Sequence, residues 1–412
     1  MARILVLTPQ LPYPPQQGTS LRNYHLLRAL AQRYEVALLS LVEGDLRPQV
    51  EPLNEIARVL PPVSAPVRTA GWRLHQLLTS REPDVALRLR SDPYAAALVR
   101  ALGNETFEAV QVEGIELAWT LPLIRSSRPG SRIVLDCHNA ETELQRRAFE
   151  QDVRRPGRWP AALYSRVQID RLENFERASL RAADAVIAVS DSDAARLAVL
   201  AGLPVTSIAV VPNTLDVTEY SWRDEIPAAT RFDLVFTGKM DYRPNVDGVL
   251  WFAREIWPQI VARRPGTTWA IVGQRPHPRL EPLRALPGVT LTGRVERVQP
   301  YLAGAAVYVM PLRVGSGTRL KVLESMAAGC AVVATRVAVE GFAPENGHDL
   351  LLADTPVAFA EAVLDLLEHP GRRAEMGQRA RAFAARYDWR RVAPQLHAVY
   401  DRLLATDAAN RG

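Results

Sequence analysis

Residues 309–335 read Val309-Met310-Pro311-Leu312-Arg313-Val314-Gly315-Ser316-Gly317-Thr318-Arg319-Leu320-Lys321-Val322-Leu323-Glu324-Ser325-Met326-Ala327-Ala328-Gly329-Cys330-Ala331-Val332-Val333-Ala334-Thr335. An apolar strand, Val307 to Met310, runs into a glycine-punctuated loop, Arg313 to Thr318. A helix over Arg319 to Ala328 follows, then a stop at Gly329 and a second apolar strand, Ala331 to Ala334. Such a loop lets backbone N–H groups approach an anion at a helix N-terminus. Lys321 and Glu324 lie three apart and share one face near the start of that helix. The chain has 50 Lys and Arg, of which only two are Lys: Lys321, and Lys239 in Val-Phe-Thr-Gly-Lys. Both follow a strand. Where arginine serves almost everywhere else, lysine at a loop–helix junction points to a need for a compact ammonium, with drift as the plain alternative.

Outward from this unit, strands and helices alternate. Strands are expected at Ile4 to Thr8, Glu35 to Leu41, Ala109 to Val112, Arg132 to Leu135 and Ala185 to Val189, with an amphipathic helix over Thr19 to Arg33. The pattern restarts after Val211-Pro212-Asn213, with strands at Asp233 to Phe236, Trp269 to Val272 and Val289 to Leu291 ahead of the quoted stretch. Helices are expected at about Asn245 to Arg263 and Pro356 to Leu367. This alternation implies parallel sheets covered by helices. The fold class is α/β: two Rossmann-like domains facing across a cleft, residues 1–211 and 212–389. A final helical stretch, residues 390–412, packs back on the first after a break at Tyr387-Asp388-Trp389. Ligands of open α/β sheets bind beyond the carboxyl ends of the strands, so the loops after these strands carry the candidates.

A chain of 412 residues exceeds one core and fits two domains. With 48% hydrophobic and 23% charged residues it is globular rather than disordered. A net charge of +5, spread along the chain, suits phosphate-bearing ligands or an anionic membrane surface and gives no reason to invoke nucleic acid. Cys137 and Cys330 have no CxxC partner and read as reduced thiols. No apolar run approaches the roughly 20 residues of a spanning helix, and Ile4-Leu5-Val6-Leu7 is too short for a signal-peptide core. The expected location is cytoplasmic, at the inner face of the membrane if the acceptor is carried on a lipid.

Each motif has a bland and a functional reading. Gly315, Ser316, Gly317, Thr318 and Arg319 form either an ordinary turn or a diphosphate cradle, with Glu324 accepting from a ribose diol. Gly238 and Lys239 open a turn in which Asn245 caps the next helix. His138, in Asp136-Cys137-His138-Asn139, stands at the carboxyl end of a strand, either as a structural donor or as a group at the site. Gly18 and Arg22 lie where the first strand meets the first helix, and Thr19 or Ser20 can cap that helix. Asp191-Ser192-Asp193 mimics a metal-binding Asp-x-Asp pair, but it opens a helix and is read as capping; no metal is expected. Arg146 to Arg166, with Phe149, Trp159 and Tyr164, is a solvated face or a peripheral membrane contact.

The quoted stretch resembles the nucleotide-sugar loop of retaining family 4 glycosyltransferases, whose two-domain fold is called GT-B. Their usual signature is Glu-x7-Glu. Its second Glu matches Glu324, and its first falls on Ser316, as in a subset reading Gly-x-Gly-Thr-Arg-x-Lys-x-x-Glu. The resemblance covers nearly the whole chain, with look-alikes in bacterial exopolysaccharide and envelope-glycan synthesis. It implies that Lys239 contacts the donor diphosphate, that Arg319 and Lys321 complete the cationic set, and that His138 touches the sugar or orients the acceptor. It also implies that Gly18 and Arg22 lie at the cleft.

The reading is a retaining, metal-independent transferase with no cofactor. It moves a sugar from a nucleotide-diphosphate donor to a glycan or lipid-linked acceptor. No carboxylate pair is spaced for double displacement, so the implied chemistry is front-face, with the leaving phosphate taking the acceptor's proton. The rivals are a catalytically silent sugar-nucleotide-binding subunit and a GT-B-type epimerase or phosphorylase.

Overall fold

A computed structural model describes residues 1–15, 18–43, 47–153, 159–222, 225–314 and 318–410. These form two compact units, Met1–Thr214 with Trp389–Gly412, and Leu215–Asp388.

The first unit is built on one parallel sheet. Its strands are β1 (Arg3–Thr8), β2 (Glu35–Val42), β3 (Arg58–Val59), β4 (Val63–Ser64), β5 (Ala109–Glu113), β6 (Arg132–Cys137), β7 (Ala185–Ala188) and β8 (Ile208–Val210). The order is β3-β2-β1-β5-β6-β7-β8, with β4 also pairing β2. Side chains alternate across a strand, so Leu5, Leu7 and Leu39 enter one apolar core while Ile4, Val6 and Leu38 enter another on the opposite face. Burial on both faces is why these strands read as unbroken apolar runs. The helices that matter below are α1 (Gly18–Ala31), α2 (Ala70–Thr79), α3 (Asp84–Leu87), α4 (Trp159–Ala182) and α5 (Asp191–Ala201). The capping residue of α5 is Ser190, which accepts from the Asp193 N–H at 3.1 Å. Asp191 and Asp193 occupy the first turn, where carboxylates complement the helix dipole.

The second unit holds a six-stranded parallel sheet: β9 (Phe232–Thr237), β10 (Trp269–Val272), β11 (Val289–Gly293), β12 (Ala305–Met310), β13 (Ala331–Ala334) and β14 (Leu351–Leu352), in the order β11-β10-β9-β12-β13-β14. The expected helix over Asn245 to Arg263 is present but not uniform. It runs as α6 (Arg243–Trp251), one π-type turn over Phe252–Ile256, then a further stretch, Trp257–Arg263. Pro258 has no N–H for the Arg254 carbonyl, and a wider turn ahead of it relieves the clash. α7 (Leu320–Ala327) follows β12 and ends at Gly329, whose φ of 80° closes the helix.

The last described helix, α8 (Trp389–Asn410), belongs to the first unit. Val392, Leu396, Val399 and Tyr400 are buried with Ile4, Leu27 and Leu38. The Arg28 guanidinium lies 4.2 Å over the Trp389 ring. Among the described residues, no helix is long and apolar enough to cross a membrane.

Candidate functional site

In the second unit the chemistry collects where β9 and β12 end. Gly238 follows β9 directly, and a Cβ there would lie 2.8 Å from Asn245 Nδ2 and 2.9 Å from Lys321 Nζ. Gly273 follows β10, and a Cβ there would fall 1.6 Å from the Gly238 carbonyl oxygen. Two glycines therefore let two strand ends run against each other and against a lysine. Asn245 is 3% exposed. It is not the helix cap, since α6 begins two residues earlier and Tyr242 holds the cap position. Instead its Nδ2 donates to the Lys239 carbonyl at 2.8 Å, and its Oδ1 accepts from Lys321 Nζ at 2.5 Å.

Lys321 is half-buried on α7, with its ammonium 4.9 Å from the Phe236 ring centroid. Burial, reinforced by the Arg319 charge, pushes its pKa down to about 7, partly opposed by Glu324. Lys239 is 41% exposed and 3.8 Å from Asp241. Glu324 accepts from the Tyr220 hydroxyl at 2.7 Å. Burial raises its carboxyl above the ordinary range, against the pull of Tyr220 and Lys321. Thr318 packs on Gly341, where a Cβ would lie 2.3 Å from its methyl. The structure thus groups Gly238, Lys239, Arg319, Lys321 and Glu324, and adds Asn245, which the sequence offered only as a helix cap, and Tyr220, which carried no pattern there. Gly315, Ser316 and Gly317 lie outside the described residues.

A second cluster stands in the first unit, where β5 and β6 end. His138 Nε2 lies 3.0 Å from Glu113 Oε2 and 4.0 Å from Asp136 Oδ2. Burial would lower the imidazole pKa, but the Glu113 hydrogen bond and the Asp136 charge prevail and raise it. Burial, then the Asp136 charge, lifts Glu113 to about 7. Asp136 itself is held low, the Arg22 ion pair overcoming the cost of burial.

The expectation that Arg22 meets a ligand from a cleft loop is corrected here. Arg22 is 1% exposed and grips both Asp136 oxygens at 2.8 Å. Its remaining nitrogen donates to the Val211 carbonyl and to Asn213 Oδ1. Gly18, by contrast, is exposed at the start of α1. Glu113 also accepts from Gln111, which accepts from the Tyr400 hydroxyl of α8.

Glu113, Asp136 and His138 bring three ligand-type atoms within 4.8 Å of one another. Arg22 is already paired with the Asp136 member of this trio.

Residues 231–369 match the family model "Glycosyl transferases group 1", and residues 17–214 match "Glycosyl transferase 4-like domain". A phosphatidyl-myo-inositol mannosyltransferase of Mycobacterium tuberculosis is 30% identical over 223 residues, covering 48% of this chain and 55% of that one. The chain spans about half the length of the curated relatives it matches. Among solved structures, the Anabaena protein Alr3699/HepE in complex with UDP-glucose aligns over 98% of this chain and all of its own, with a TM-score of 0.67 at 15% identity. Sucrose-phosphate synthase from Thermosynechococcus elongatus aligns over the same shares, 98% and 100%, with a TM-score of 0.71 at 16% identity. Two matched domains, each on its own parallel sheet, and a fold shared along the full chain lead to one conclusion: the chain belongs to the glycosyltransferases of GT-B fold.

Proposed function

We propose that this protein transfers a sugar, with retention, from a nucleotide-diphosphate donor to a glycan or lipid-linked acceptor, without a metal. The observation that carries the reading is the Lys321 ammonium, fixed by Asn245 at the end of β9, three residues before Glu324 on α7. A departing nucleoside diphosphate gains negative charge as the glycosidic bond breaks. Cations held in place beforehand, Lys239, Arg319 and Lys321, stabilise that charge without reorganising. Glu324 can accept two vicinal hydroxyls, which suits the ribose of the nucleotide. In the first unit, His138 is held by Glu113 and positions the acceptor or the transferred sugar. An acceptor carried on a lipid would bring the enzyme to the inner face of a membrane.

The test is release of free nucleotide from a panel of nucleotide sugars by the isolated protein, with the product anomer read by NMR. Release that persists in excess EDTA is the expected result. Lys239→Ala should lower kcat by roughly 10²-fold, the range for loss of an electrostatic stabiliser. Lys239→Arg should recover part of it, because a planar fork does not replace a compact ammonium. Binding without release would instead mark a silent sugar-nucleotide-binding subunit, and an inverted anomer would remove retention.

A further inference from the structure

A cavity of about 250 Å³ lies in the first unit among α2, α3 and α4, apart from both clusters above. Its walls include Arg73 and Gln76 of α2, Asp84 of α3, and Tyr164, Gln168 and Arg171 of α4. Arg68 stands beside it, paired with Asp84 at 2.7 Å. Three guanidinium groups thus surround one carboxylate, and the surplus charge is positive.

The hydrogen bonds divide these groups into committed and uncommitted ones. Gln168 Oε1 accepts from the Asp84 N–H at 2.8 Å, and Arg73 bonds the Tyr164 side chain. Arg171 Nη2 donates to the Leu77 carbonyl at 2.9 Å, tying α4 to the end of α2. Among the described residues its Nη1 is buried with no acceptor, and so is Arg68 Nε. Buried charged donors without acceptors are costly, and a water would meet a hydrogen bond but not the charge. An anion meets both. A guanidinium fork matches the oxygens of a phosphate, which can accept from two such groups at once. Gln76 Oε1 is also buried without a partner among the described residues, and it needs a donor such as a hydroxyl.

We infer that this pocket binds a phosphate group carried on a hydroxylated carbon skeleton, with Arg171, Arg68 and Arg73 on the phosphate and Gln76 on a hydroxyl. The inference does not depend on the donor chemistry proposed above. Such a group occurs both on soluble sugar or polyol phosphates and in the headgroup of a glycerophospholipid.

The full chain should be titrated by calorimetry with inorganic phosphate and with glycerol 3-phosphate, and by sedimentation with phosphatidylglycerol vesicles. Saturable binding of glycerol 3-phosphate, tighter than that of phosphate, is expected. Arg171→Gln should weaken both by roughly tenfold, as suits loss of a charge-assisted contact. Gln76→Ala should remove only the preference for glycerol 3-phosphate. Should Arg171→Gln fail to fold, Arg73→Gln at an exposed position should weaken phosphate in the same direction. Arg171-dependent capture of vesicles without binding of the soluble probes would identify the lipid source. Saturable soluble binding without capture would identify the free one. Two results would overturn the site: no saturable binding of any probe at about 10 mM, or phosphate binding unchanged by both arginine substitutions.

Discussion

The Tyr220 hydroxyl donates to one oxygen of the Glu324 carboxylate, which is thereby oriented before any ligand arrives. If it accepts from a ribose diol, Glu324→Ala should weaken UDP or GDP binding by roughly 1.5–3 kcal/mol, the scale of a hydrogen bond to a charged group. Calorimetry on the folded variant checks this, and unchanged affinity removes Glu324 from the site. Lys321 adds a pH signature. In the free site its proton leaves as pH rises through about 7. A bound diphosphate favours the charged form and raises that pKa, so binding at about pH 8 takes up a proton and affinity declines with further rise in pH. Titrations in two buffers of different ionisation enthalpy read the uptake, which Lys321→Gln should abolish. Lys239, Lys321 and Glu324 were legible in the sequence because a strand end and a three-residue helical spacing place them. Asn245 and Tyr220 were not. Their partners lie 76 and 104 residues away, and neither local pattern nor composition records such a pairing.

The β9 and β10 ends approach so closely that Gly273 has no room for a methyl group. Gly273→Ala should therefore cost about 1–3 kcal/mol of stability, as overpacking does, and should shift Gly238 away from Lys321 and Asn245. Chemical denaturation together with UDP calorimetry tests it. Wild-type values of both would show that the loops can part without consequence. The long strands could be read because each is an apolar run, and β10 and β13 match the expected bounds at both ends. The two-residue strands β3, β4 and β14 carry too few residues to show a period. β8 was hidden beside Pro212, and the π-type turn before Pro258 keeps the same apolar spacing as a regular helix. Helix starts were less readable: α5 is capped by the Ser190 side chain, which accepts from the Asp193 N–H, rather than by the neighbouring aspartates.

Across the molecule, the Arg22–Asp136 pair ties α1 to β6 and, through Val211 and Asn213, to the end of the first unit's longer segment. Arg22→Ala would leave a buried carboxylate unpaired and should destabilise the fold by about 3–5 kcal/mol. Arg22→Lys should restore only part, because one ammonium cannot serve both oxygens and the two further acceptors. Denaturant unfolding followed in the far ultraviolet measures both. The division into two α/β sheets was visible from alternation alone, whereas Arg22 read as a ligand contact because sequence does not report burial. The placement of α8 in the first unit has a consequence for biosynthesis. Residues 4–211 lack a wall of their core until Leu396, Val399 and Tyr400 have been made, after the whole of Leu215–Asp388. At about 5–20 residues per second, the apolar face of α1 and β1 waits on the order of ten seconds or more on the ribosome. The part made first is thus the last to close, and the nascent chain in that interval is a natural client for chaperones.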